Sequence, residues 1–580
     1  MTTLAERLDQ WNSDTIKKYV TLLGGRSNIT RKADRINFVC AKLLDNTSLR
    51  TIWEQMDSVA QRAVSTAYHN DGEFDSDAYV AQYGELPPRP QKEDLWYGYY
   101  HKEPILFDLF VLDGQIPDDL MLLLAELVLS PERFQIEGIE KLPIIIKRGR
   151  YDWDVVPVET ELIGRADLLT YLQMVEQKQV KYGAKNNRLT AASVRKVLAN
   201  LMDGDFHELP EKVTGRTVIR PFGLDVFTQE SGLMTRTGKL TKAGRDYLRT
   251  QNPEIMLTAF ERWSDSGKFD EMHRIRHLGG LKSRRTRLTP AASRREKVIE
   301  ALSWCPVDVW IDIQDFYRAV IIWDFDFEVE KTPYSNLYVG SRYYGELHGG
   351  NYWNVVNGLY MNAIIWEYLG TIGAVDVAFV DDEYASFVDS AYNYIDEPIS
   401  LYDGLLYFRI NKWGAFLLGQ ADKYEPTQPK EKALFTITAD MRLHLLADLL
   451  PNERLQLEAV AELVDPQTYQ LDEVKLLTAV EGGQQLEQLI TFLQANHQGE
   501  LSTPVFDWLS RLQQNQEAFK EAGAAVLIQL NQPGLMTLTQ QDKALAKLCQ
   551  KVDDKTILVK SSRLARFRKR LKELGYLLTQ

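Results

Sequence analysis

Four short stretches hold the residue types that chemistry would need. Asp324, Asp326 and Glu328 alternate in Trp323-Asp324-Phe325-Asp326-Phe327-Glu328. On a strand all three carboxylates would share one face, and a nuclease could hold magnesium there. The same alternation describes a half-buried strand with a solvated acidic face, and this plainer reading is preferred. His273 and His277 are spaced to share one face of a helix, as zinc ligands do. Arg274 and Arg276 stand between them and would repel a divalent cation, and no glutamate follows His273 as a zinc-protease helix requires. A surface or nucleic-acid role suits the pair better. Gly232-Leu233-Met234-Thr235-Arg236-Thr237-Gly238-Lys239-Leu240 approaches a phosphate-cradling loop. It has one residue too many between the glycines, and Leu240 stands where a metal-binding hydroxyl belongs. Asp381-Asp382-Glu383 imitates a motor's metal-binding acids, but no phosphate loop precedes it, so it reads as a loop. No G-x-S-x-G elbow is present, and no cysteine has the setting of a nucleophile. The expectation is therefore a non-enzyme with no cofactor, no metal and no evident small-molecule substrate. The metal-dependent nuclease is kept as an alternative.

Positive charge is the other candidate for function. The chain carries 68 basic and 81 acidic side chains in 580 residues, a net charge of −13. That balance argues against coating nucleic acid by bulk electrostatics, but screening confines each charge to about 10 Å, so distribution decides. One basic run holds Arg274, Arg276, Lys282, Arg284, Arg285, Arg287, Arg294, Arg295 and Lys297, with Glu296 its only acid. A second holds Lys555, Lys560, Arg563, Arg566, Arg568, Lys569, Arg570 and Lys572 with no acid between them. Both are expected to hold DNA phosphates with weak sequence selectivity. The alternative is a solvated face, or an internal clamp onto acidic neighbours.

The elements that must position these groups belong to a globular chain, 44% hydrophobic and long enough for several cores. The three cysteines lie far apart, which suits a reducing compartment without disulfides or structural zinc. No secretory leader is visible, and the most apolar stretch, Leu120 to Leu129, is broken by Glu126 and only half a membrane span long. A cytoplasmic protein with no membrane partner is expected.

Residues 1–46 read as a helical hairpin around Gly24-Gly25, with Thr30 as N-cap of the second helix. The Leu22-Leu23-Gly24-Gly25 turn and the helix start at Arg31-Lys32-Ala33-Asp34-Arg35-Ile36 resemble a SAP motif. The resemblance implies that Arg31, Lys32 and Arg35 approach DNA phosphates; a structural hairpin is the alternative. Residues 47–150 read as helical scaffold. Residues 151–262 give helices at Leu168–Val175 and Leu189–Leu201, the second capped by Thr190. Short strands at Thr217–Phe222 and Leu233–Met234 follow, then a capped helix at Leu240–Leu248. That order is a winged helix, with Ser193, Arg195 and Lys196 facing a major groove and Arg236 and Lys239 on the wing. Residues 263–432 read as the basic linker and a second such unit, ending in a strand that runs into Asn411-Lys412-Trp413-Gly414. Winged helices also serve as protein–protein modules, which keeps a scaffold or adaptor role open.

From 433 to 580 the reading is a strand at Phe435–Thr438, helices at Met441–Leu450 and Asn452–Ala461, and Tyr469-Gln470-Leu471 before a helix. Helices Gln485–Asn496 and Val505–Gln513 come next, then strands at Ala525–Leu530 and Gly534–Leu538. A helix at Gln541–Lys551, a strand at Thr556–Val559 and a basic helix capped by Ser562 complete it. Tyr469-Gln470-Leu471, Phe492-Leu493, Leu501-Ser502-Thr503-Pro504-Val505 with Asp507-Trp508, and the closing Arg566–Tyr576 resemble the N-terminal domain of XPB-type helicases. Bacterial helicase-associated proteins share that domain. The resemblance implies DNA engagement or docking of a helicase or nuclease subunit, in DNA repair, processing or phage defence. The fold expected overall is α+β, mainly helical and multidomain: tandem winged-helix-like units and an α+β C-terminal domain.

Overall fold

Thr3, Asn12, Asp45, Asp57 and Asp75 each set a side-chain oxygen on a backbone amide, satisfying a donor that a helix start leaves free. These caps begin α1 (Leu4–Gln10), α2 (Ser13–Leu22), α4 (Asn46–Gln55), α5 (Ser58–His69) and α6 (Ser76–Tyr83); α3 (Lys32–Leu43) lies between. Its N-cap is Arg31, without a side-chain cap, so Thr30 does not cap it as expected. The short helices α7 (Phe107–Phe110) and α8 (Asp118–Leu124) close the region. One apolar core runs from Leu4 and Leu8 through Val39 and Leu43 to Leu120 and Leu124. The N-terminal hairpin thus shares its core with the helices that follow it.

The computed structural model describes the chain apart from residues 1, 27, 94–99, 131, 149–150, 284–285, 332–335, 341–346, 348–349, 381–397, 426–432, 516–517, 519–522 and 580. It is mixed α and β, mainly helical, and divides into Met1–Thr436 with His444–Asn496 (unit 1) and Ile437–Leu443 with His497–Gln580 (unit 2). The stretch expected as one domain from 433 is thus shared between the two units. Among the described residues, no helix is long and apolar enough to cross a membrane.

Unit 1 continues with α9 (Glu161–Glu176) and α10 (Ala191–Leu198), the latter capped by Thr190 as expected. The expected strand Thr217–Phe222 is instead the entry to α11 (Arg220–Glu230). The Asp205 carboxylate accepts the amides of Ile219 and Arg220, both at 2.9 Å, and Pro221 presets the first turn. Those amides are satisfied without a sheet. The wing shrinks to one bridge, Met234 to Leu240, with the Thr235 amide donating to the Lys239 carbonyl at 2.8 Å. Then come α12 (Lys242–Thr250), α13 (Pro253–Ser264), α14 (Ala291–Ser303) and α15 (Ile313–Ile322), the last capped by Asp312.

Next, α16 (Gly350–Trp353) and α17 (Leu359–Ala363) alternate with π-helical turns at Asn354–Gly358 and Ile364–Gly370. An antiparallel sheet brings together β1 (Val156–Val158), β2 (Ile311–Asp312), β3 (Val375–Phe379) and β4 (Leu405–Ile410) in the order β1-β3-β4-β2. Strand β4 runs into α18 (Lys412–Leu417), capped by Asn411, as the sequence suggests. A single core spans Ile136 to Leu455, so the segments expected as two winged units are packed as one body. Its last elements are α19 (Pro451–Glu458), β5 (Ala461–Asp465), β6 (Thr468–Leu471), α20 (Glu473–Glu481) and α21 (Leu486–Asn496). Arg442–Leu445 is a strand where a helix was expected.

Unit 2 holds α22 (Thr503–Asn515), β7 (Ala525–Gln529), α23 (Leu535–Gln541), β8 (Cys549–Lys551), β9 (Thr556–Lys560) and α24 (Leu564–Glu573). Two expectations exchange here: Gly534–Leu538 leads into a helix, and the expected helix Gln541–Lys551 ends as a strand. The central strand β9 buries Ile557 and Val559 and pairs antiparallel with β7 on one side and β8 on the other.

Candidate nucleic-acid interface

The first basic run does not face outward as a whole. Arg274 and Glu367 are ion-paired at 2.6 Å with side chains 4% and 0% exposed. The Arg274 guanidinium also donates to the carbonyls of Gly215 (3.0 Å) and Val218 (2.8 Å) and lies 3.9 Å from the Phe222 ring centre. Arg295 donates to the carbonyls of Trp263 (2.6 Å), Ser264 (3.1 Å) and Ser266 (2.7 Å) and pairs with Glu271 at 2.5 Å, both side chains fully buried. Arg294 pairs with Asp270 at 2.5 Å. A buried arginine is tolerated when its charge is met and most of its donors are satisfied, and these three find their carboxylate and carbonyl partners inside the protein, although the Nε of Arg294 and of Arg295 is left without one among the described residues. They are unavailable to phosphates. Burial pushes the Glu367 carboxyl up to about 7 against the pull of Arg274, and raises Glu271 against the pull of Arg295.

What remains of that run on the surface is Arg276, Lys282 and Arg287. Lys297 is half-buried, its ammonium donating to the Asp324 carbonyl at 3.2 Å. Arg284 and Arg285 lie outside the described residues, as do Asp381, Asp382 and Glu383. The sequence did contain the signal for the inward turn. Ala291, Arg294, Arg295, Val298, Ala301 and Leu302 form the buried face of α14, so two arginines occupy core positions of a helical stripe. The carboxylates that meet them, Asp270 and Glu271, stand just upstream of the basic run.

The other expected contacts are mixed. Arg35 is buried, donating to the carbonyls of Ile29 and Ser13 and to the Ser13 hydroxyl. Lys32 pairs with Asp9 at 3.0 Å, and Arg31 is exposed. On α10, Arg195 and Lys196 are exposed, but Ser193 is buried, its hydroxyl accepting the Lys181 amide at 2.8 Å. Arg236 and Lys239 are exposed on the tight turn. The following helix, α11, is buried along nearly its whole length and cannot enter a groove. A Cβ on Gly223 would lie 2.2 Å from the Glu367 carbonyl oxygen, which measures how closely α11 meets the π-helical turn.

The expected metal constellations do not assemble. Trp323–Glu328 is a turn and irregular segment, not a strand, with Asp324 at φ +60°. Asp326 accepts from the Trp353 indole (2.9 Å) and the Asn357 amide (3.1 Å). His273 lies in a 3₁₀ turn, Glu271–Arg274, that stops before His277. Among the described residues, no group of three or more His, Cys, Asp or Glu could hold a metal ion.

Unit 2 is different. It carries 14 Lys and Arg against 9 Asp and Glu, so its charge is opposite in sign to the whole chain. Leu564, Phe567, Leu571 and Leu574 place one face of α24 against the sheet core. The opposite face exposes Arg566, Arg568, Lys569 and Lys572, with exposed Lys560 and Arg563 just before the helix. Arg563 donates to the Lys547 carbonyl at 3.0 Å. Arg570 alone is held back, by Asp542 (2.6 Å) and Glu573 (2.9 Å). The Arg570 hydrogen bonds and the Leu545 amide hold the Asp542 carboxyl down at about 2.

No family model and no curated protein matches the chain.

Proposed function

We propose that this chain is a non-enzymatic DNA-binding accessory protein, with phosphate contact concentrated on the outer face of α24. One observation carries the reading: Arg566, Arg568, Lys569 and Lys572 are exposed on the side of the helix opposite its buried Phe567, within a module of net positive charge. From Arg563 to Lys572 is about 14 Å along the helix, the length of about four phosphates of one strand. Four neutralised phosphates give a slope of log affinity against log salt of about −4, a loss on the order of 10²-fold between 50 and 200 mM. These cations offer no fixed set of base-edge donors, so affinity should be nearly indifferent to sequence. A helicase or nuclease subunit in DNA repair, processing or phage defence is the partner such an accessory would serve.

Filter binding of duplex DNA over a salt series tests this. The expected result is the steep slope; an affinity indifferent to salt overturns it. A second reading, a protein–protein adaptor, is favoured by the inward turn of Arg274, Arg294 and Arg295, which takes the strongest candidate cations out of unit 1's surface.

A further inference from the structure

We propose that the groove between α13, α14 and α18 of unit 1 docks a cationic segment of a partner protein that carries a bulky apolar anchor. The groove has a volume of about 640 Å³. Its floor is apolar, formed by Leu257, Phe260, Ile299, Phe416 and Leu417, and its rim is acidic, formed by the exposed Glu254, Glu261, Asp265 and Asp422. Among the described residues, no lysine or arginine lines it. Charge and shape select the occupant together.

The rim carboxylates Glu254, Glu261 and Asp265 recur at i, i+7 and i+11 along α13 and its C-cap, so they stand in a row on one face. That row is about 16 Å long at 1.5 Å per residue, too extended for its carboxylates to converge on one ion but matched to two or three turns of a facing basic helix. Nucleic acid would meet four like charges. A small apolar ligand would leave the rim unused, whereas lysines or arginines flanking a leucine or aromatic side chain would use rim and floor at once. The surroundings agree: outside unit 2 the chain has 54 basic and 72 acidic side chains. This surface is separate from the DNA-contacting face argued above, and either can fail without the other.

Fluorescence anisotropy with the full chain tests the proposal, using a labelled 14-residue amphipathic lysine–leucine peptide as probe. Two control peptides replace its leucines by serine or its lysines by glutamate. The variant Glu261→Lys/Asp265→Lys changes two exposed rim positions, and Glu296→Lys/Glu300→Lys makes the same net change at exposed positions of α14 outside the groove. The expected result is about tenfold weaker binding for the rim variant, less than twofold for the α14 variant, and at least about tenfold weaker binding of both control peptides. Equal losses in the two variants, or a serine peptide that binds as tightly as the leucine one, overturn it.

Discussion

Replacing Arg295 by leucine separates a structural arginine from a DNA-binding one. The guanidinium donates to the backbone carbonyls of Trp263, Ser264 and Ser266, more weakly to that of Phe269, and to the buried Glu271 carboxylate. Removing one partner of a buried ion pair costs about 3–5 kcal/mol, because the other charge is left unpaired. Each carbonyl left without a donor adds about 1 kcal/mol more. A total of about 6–8 kcal/mol is as large as the whole stability of many domains, so the variant should unfold at much lower urea. Adding Glu271→Leu removes the stranded carboxylate and should recover about half of the loss or more. Tryptophan fluorescence is a suited readout, since the Arg295 guanidinium lies 4.8 Å from the Trp263 ring centre. DNA affinity, measured where the variant is still folded, should not change. An Arg295→Leu protein that keeps its urea midpoint but loses DNA affinity would refute the reasoning.

Three further outcomes follow from the same geometry. Changing Arg566, Lys569 and Lys572 together to glutamine should reduce the magnitude of the salt slope by about 3, measured by filter binding, and leave the melting temperature unmoved. Gly223→Ala should destabilise unit 1 by about 1–3 kcal/mol in a urea titration, because its Cβ would fall 2.2 Å from the Glu367 carbonyl oxygen. Glu367 should make stability fall as pH rises. Its folded value, about 7, lies above the ordinary 4.5, so between these values the native state holds the proton that the unfolded chain releases. Stability should therefore decline across that window, and Glu367→Gln should flatten the decline in urea midpoints taken from pH 4.5 to 7.5.

Much of the secondary structure was legible because it rests on local chemistry. Thr190 and Asn411 cap the helices that their positions suggest, whereas Thr30 and Ser562 do not cap theirs. Apolar periodicity likewise located α20, α21, α22 and α24. What misled was long-range pairing. Thr217–Phe222 has strand-forming residues, but Asp205, far from it in the sequence, takes its amides and a helix forms. Trp323–Glu328 alternates like a strand yet pairs with no strand among the described residues, and the left-handed backbone at Asp324 bends it into a turn. Of the two basic runs, the C-terminal one reads correctly as surface because Leu564, Phe567 and Leu571 mark its buried face. In the central run linear density points outward, but Arg294 and Arg295 fall on the apolar stripe of α14 and form the internal clamp onto acidic neighbours that was its alternative.

Arg274 joins three stretches of unit 1 that are remote in sequence: its own 3₁₀ turn, the loop before α11 through Gly215 and Val218, and the π-helical turn through Glu367. Arg295 does the same for the exit of α13. The stretch between α13 and α14, which in sequence reads as a basic linker, is therefore tied inward by buried arginines. Its described part is thus fixed to the core of unit 1, and cutting any one of these ties strands a buried charge rather than releasing a loop.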